Sequence, residues 1–177
     1  MSKIIRIIAS TSKNSINKKL SDYAIDKMKI NDEIHTIWLK DINLPLFSVD
    51  IENEGFPKEL IEIYETINQS QKIIFANPEN NGYLTAALKN LLDWLSRINT
   101  KYLQDKKVMI LSTSTGKGGA KKSLEELCII MGHVNAELVS TYSLSKFNDN
   151  FDIVSNKIIN EEENSNLKFA LDLFINS

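Results

Sequence analysis

Three short stretches concentrate side chains able to hold a ligand. Ala9 to Asn17 reads ASTSKNSIN, with four hydroxyls and two carboxamides in nine positions. A helix N-cap needs one such residue. The surplus, placed where a strand gives way to a helix, suits an anion such as a phosphate, because first-turn N–H groups point at it. Ser10, Ser12, Lys13, Ser15, Ile16 and Asn17 are the candidates there, with Lys13 adding charge. The stretch carries neither the GxxxxGK[ST] nor the GxGxxG pattern, so a Walker loop and a dinucleotide fingerprint are excluded. Ser112 to Ala120 reads STSTGKGGA, where Ser112, Thr113, Ser114 and Gly116 open a run with three glycines. Glycine permits positive φ and close backbone approach to a ligand, although a plain strand-to-helix turn has the same composition. Between these two lies Pro78-Glu79-Asn80-Asn81-Gly82-Tyr83. Asn80-Asn81-Gly82 favours a tight turn, with Tyr83 covering an apolar edge. Its peptide groups and amides are the donors and acceptors that the edge of a flat, pyrimidine-like ring needs.

Five apolar runs alternate with helical periodicity and position these stretches. Strands are expected over Ile4 to Ala9, Glu33 to Leu39, Lys72 to Ala76, Lys107 to Ser112 and Glu137 to Tyr142. Helices are expected over Ser15 to Met28, over Lys58 to Asn68 with Leu60, Ile61, Tyr64 and Ile67 inward, and after Gly82 with Leu84, Leu88, Leu91, Leu92 and Leu95 on one face. A helix reaching about Gly132 and a last one over Glu161 to Ile175, capped near Asn160, complete the set. Residues 40–57 and the Asn/Asp-rich stretch after Tyr142 read as connections. Such alternation predicts βαβ units and a parallel sheet covered on both faces. The expected fold is one α/β domain over residues 1–177, doubly wound and three-layered, of flavodoxin-like strand order 2-1-3-4-5, with ligands beyond the carboxyl ends of the strands.

Composition narrows the function further. The chain has 177 residues, 42% hydrophobic and 25% charged, with net charge −2 and no basic stripe; a nucleic-acid partner is not expected. No apolar run approaches membrane-spanning length, and Met1 to Ile4 opens a run too short for a leader peptide, so a cytoplasmic location is expected. Cys128 is the single cysteine and His35 and His133 the only histidines, which excludes an internal disulfide and a His- or Cys-rich metal centre. Cys128 reads as a packed core thiol, His35 as a strand residue and His133 as a cation near a helix C-terminus.

PENNGYLTAALKNLLDWLSR resembles the P-E-Y-N-x-x-x-P-x-x-L-K-N-x-x-D-W-L-S-R signature of NAD(P)H-dependent FMN reductases, which include flavodoxin-like quinone, chromate and azo-dye reductases. The first loop is similar to that family's G-S-x-R-x-x-S-x-N segment and the third to its S-x-S-x-G-x-x-G-G segment. The resemblance covers roughly residues 3–145. It implies FMN as cofactor, with Ser10, Ser15 and Asn17 at the phosphate, Pro78, Glu79 and Asn81 along the ring, and Ser112, Ser114 and Gly116 on its other side. Lys89, Asn90, Asp93 and Trp94 match helix positions supporting the loop and a dimer interface. Hydride would pass from NAD(P)H through the flavin to a small-molecule electron acceptor, such as a quinone or free flavin, in a ping-pong cycle. The assembly implied is a homodimer or a tetramer of dimers. Ser12 stands where the family has an arginine, Asn80 where it has a tyrosine and Ala9 where it commonly has a glycine, which implies weaker phosphate holding and altered ring stacking. A flavodoxin-like electron carrier and a flavin-free scaffold or regulator are the alternative readings.

Overall fold

The structure, a computed structural model, describes residues 3–30 and 32–177; Met1 and Ser2, which open the run too short for a leader peptide, lie outside it. Strands β1 (Lys3–Ile8), β2 (Glu33–Trp38), β3 (Lys72–Ala76), β4 (Lys107–Thr113) and β5 (Glu137–Leu144) form one parallel sheet in the order β2-β1-β3-β4-β5. Helices α1 (Ile16–Met28), α2 (Val49–Glu54), α3 (Lys58–Asn68), α4 (Ala86–Ile98), α5 (Lys121–His133), α6 (Phe147–Asn150) and α7 (Glu161–Ile175) cover it.

Side chains alternate across the pleat, so each central strand feeds two cores. Ile5, Ile7, Ile73, Phe75, Val108 and Ile110 pack under α3, α4 and α5. Ile4, Ile74, Met109 and Leu111 pack under α1 and α7. This two-sided burial explains why the central strands read as unbroken apolar runs, whereas the edge strand β2 is largely exposed. Burying such side chains contributes roughly 1.5–3 kcal/mol each before the entropy of ordering is subtracted.

Local chemistry sets the helix ends. Ser15 Oγ accepts the Lys18 N–H at 3.1 Å, Thr85 Oγ1 the Leu88 N–H at 3.2 Å and Asn160 Oδ1 the Glu163 N–H at 3.0 Å. Thr85 therefore starts α4 two residues after the 80–83 turn, and Leu84, expected on the helix, is buried just before it. In α3 the inward residues are Leu60, Ile63 and Ile67; Ile61 and Tyr64 lie at the margin of the core.

Several expected boundaries change. β2 stops at Trp38, because Leu39–Asp41 winds into a 3₁₀ turn. β4 runs on to Thr113 and β5 to Leu144. Residues 40–57 are not a bare connection: Ser48 caps the short α2, whose six residues are too few to show a period. Asn90 and Trp94 of α4 strap this segment down, both donating to Pro45 O, at 3.0 and 2.9 Å, while Asn90 Oδ1 accepts the Phe47 N–H at 2.8 Å. The Asn/Asp-rich stretch holds α6 and a small antiparallel hairpin, β6 (Phe151–Asp152) with β7 (Lys157–Ile158), turned by Asp152 accepting the Val154 and Ser155 N–H groups. No helix among the described residues is long and apolar enough to cross a membrane.

Candidate functional site

The carboxyl ends of β1, β3 and β4 deliver the three chemically rich stretches to one end of the sheet. At the first, three serines are arranged alike. Ser10 Oγ accepts the Ser12 N–H at 3.2 Å, Ser12 Oγ the Asn14 N–H at 3.2 Å and Ser15 Oγ the Lys18 N–H at 3.1 Å. Each hydroxyl acts as an acceptor toward the backbone, and among the described residues none donates to a protein acceptor. Three O–H protons are thus left to give beside the N-terminus of α1, where the helix dipole also favours an anion. The loop is fixed from two sides: Trp38 Nε1 donates to Ser10 O at 2.8 Å and Thr85 Oγ1 to Ala9 O at 2.7 Å.

The stretch after β3 has a buried footing and an exposed tip. Asn80 and Tyr83 exchange two backbone hydrogen bonds, of 3.0 and 3.1 Å, around Asn81 (φ 52°) and Gly82 (φ 75°). Positive φ at both central residues is the type I′ hairpin geometry that Asn-Gly favours. Asn80 and Asn81 are exposed, and Tyr83 is 43% exposed. Behind the tip, Asn77 is fully buried and donates to Ser123 Oγ at 3.0 Å and Ser112 Oγ at 3.4 Å. Ser123 in turn donates its hydroxyl to Pro78 O at 3.0 Å and its N–H to Glu79 Oε2 at 3.3 Å. Ala120, the N-cap of α5, makes no side-chain cap bond; the Glu79 carboxylate supplies one from across the crevice.

Near the end of β4, Ser112 is fully buried inside this Asn77 network. Gly116 offers its carbonyl to the Lys146 N–H at 2.9 Å, and Ser114 O accepts the Phe147 N–H at 3.0 Å, which joins the loop to the start of α6. Gly119 (φ 59°) lies against β5: a Cβ there would come within 2.4 Å of Ser143 Oγ.

A cavity of about 300 Å³ lies where the three stretches meet, lined by Ser10, Ser12, Asn14, Ser15, Ile16, Asn17, Pro78, Glu79, Thr113, Ser114 and Thr115. Lys13, Asn80, Asn81, Gly82, Ser112 and Gly116 lie outside its lining. Asn14 and Thr115 join it from inside the two hydroxyl-rich runs, so their signal was present in composition. Asn77, Thr85 and Ser123, which hold the walls, carried no separate signal; their partners come from distant segments. The donor set of hydroxyls, first-turn amides and a helix N-terminus fits a phosphate ester. Elsewhere, Cys128 is half-buried against the core on α5, and burial pushes its thiol up. His35 and His133 are exposed. Among the described residues no cluster of three His, Cys, Asp or Glu side chains is placed to hold a metal.

Comparison with known proteins places this geometry among relatives. The family profile described as NADPH-dependent FMN reductase matches residues 2–149. A protein of Mycoplasma pneumoniae without an assigned function is 28% identical over 152 residues, covering 82% of this chain and 89% of that one. An Arabidopsis thaliana NADPH:quinone oxidoreductase is 37% identical over 123 residues, covering 67% of this chain and 62% of that one. An Escherichia coli quinone reductase is 32% identical over 125 residues, covering 67% and 63%. The matches thus span less than two thirds of the two named reductases. Among solved structures, the flavoenzyme NAD(P)H:(acceptor) oxidoreductase FerB from Paracoccus denitrificans superimposes with a TM-score of 0.81 at 20% identity, covering 99% of this chain and 96% of that one.

Proposed function

The chain belongs to the NADPH-dependent FMN reductase family, and from that premise we propose that it is an NAD(P)H-dependent flavoprotein reductase acting on a small acceptor such as a quinone or free flavin. FMN, when bound, supplies the two-electron chemistry of accepting and donating hydride. The residues of this chain supply the holding. Ser10, Ser12 and Ser15 would donate their free hydroxyl protons to the phosphate, with the N-terminus of α1 adding its dipole. Pro78 and Glu79, anchored through Ser123, would present a fixed wall, and Asn80-Asn81-Gly82 an exposed rim of amides. The observation that carries this reading is the set of three serine hydroxyls with protons to donate around one cavity.

A homodimer and a cytoplasmic location, where NAD(P)H is replenished, belong to the same proposal. Leu46, Val49 and Phe56 are 78%, 60% and 42% exposed on the segment strapped over α4, the kind of apolar surface that a partner copy covers.

Titration of the purified protein with FMN, read by flavin fluorescence quenching, followed by NADPH oxidation with a quinone present, tests the reading. Saturable binding with turnover is expected. Binding without NADPH oxidation would identify an electron carrier instead, and no binding a flavin-free scaffold.

A further inference from the structure

The Asn17 side chain, expected at a phosphate, is occupied elsewhere. Its Nδ2 donates to Thr113 O at 3.0 Å, and its Oδ1 accepts the Thr113 N–H at 2.9 Å. The residue is 3% exposed and Thr113 1%. A carboxamide that bonds both groups of one residue imitates a neighbouring strand. The sheet explains why one is needed. Pairing of β3 with β4 ends at Ala76 and Leu111, and Asn77 N donates to Leu111 O at 2.8 Å before the chain departs through Pro78. Residues two apart on a strand present their peptide groups to the same side, so the Thr113 N–H and C=O face the space that β3 vacates. Left there without water or a partner, these two groups would carry the penalty of unmade buried hydrogen bonds.

We propose that Asn17 is a positioning residue that acts as a surrogate strand: it fastens the Thr113–Thr115 wall to the first turn of α1, so that two walls of the cavity are one rigid piece. Its side chain does not hold the phosphate. The consequence for flavin rests on the FMN reading above; the clamp itself does not.

Asn17→Ala and Asn17→Asp test this. In the apoprotein, hydrogen exchange of the Lys146 and Phe147 amides, which bond Gly116 O and Ser114 O and make no bond to Asn17, should speed up by about five- to a hundredfold in Asn17→Ala, the worth of two buried hydrogen bonds. Asn17→Asp keeps the acceptor for the Thr113 N–H and loses the donor, so it should be intermediate, and it serves if the alanine variant does not fold. FMN and riboflavin, which differ by the phosphate, should lose affinity by the same factor. Unchanged exchange at Lys146 and Phe147 overturns the clamp. A loss confined to FMN, with riboflavin binding intact, overturns it too and makes Asn17 a phosphate ligand. If the unaltered protein binds neither flavin, the reductase reading fails while the exchange measurement still decides the clamp.

Discussion

A serine hydroxyl has one proton to give and two lone pairs to receive with, and the three loop serines divide these roles in the same way. Their lone pairs organise the loop and their protons remain for a ligand. Order in the apoprotein lowers the cost of binding, because the donors need not be gathered when the anion arrives. Cys128 shows the opposite case, a reactive side chain made quiet by its surroundings. Burial holds its thiol above the usual cysteine range, so the nucleophilic thiolate is scarce at neutral pH. Alkylation by iodoacetamide should be slower than for a free cysteine at pH 7 and should accelerate as the pH rises toward the raised pKa. A rate equal to that of free cysteine at pH 7 would contradict this.

Elements matter here mainly for where they stop. β3 ends early, β4 runs on, and α5 begins from a tight glycine turn pressed against β5. Gly119→Ala should destabilise the protein by about 1–3 kcal/mol, from a left-handed backbone and a collision with Ser143. Gly118→Ala, whose Cβ would meet nothing within 4 Å, should stay close to the parent in thermal unfolding. The five sheet strands were legible in sequence because β-branched runs between turn formers have few other uses. α2 and the β6–β7 hairpin were not, since elements of six and two residues carry no period. The site was legible as composition and illegible as wiring. ASTSKNSIN reads as a candidate anion loop, yet nothing within it says that Asn17 serves Thr113, nor does STSTGKGGA say that Ser112 turns inward to Asn77. Such pairings are decided by register between segments far apart in the chain.

At the scale of the whole molecule, both faces of the sheet are closed, and the proposed homodimer relies on the apolar surface over α4. Leu46 is 78% exposed and contributes little to the fold itself. Leu46→Asp should therefore leave the circular dichroism spectrum unchanged and halve the mass seen by sedimentation; an unaltered mass would move the interface elsewhere.

The surrogate strand also sets a clock. Asn17 and Thr113 lie 96 residues apart. At roughly 5–20 residues per second of synthesis, Asn17 leaves the ribosome about 5–20 s ahead of the peptide it will serve. Through that interval β1, the middle strand of the β2-β1-β3 set, can pair on both sides while the ligand cavity still lacks a wall. A newly made chain therefore cannot close both walls around a ligand until the strand that carries Thr113 has been made.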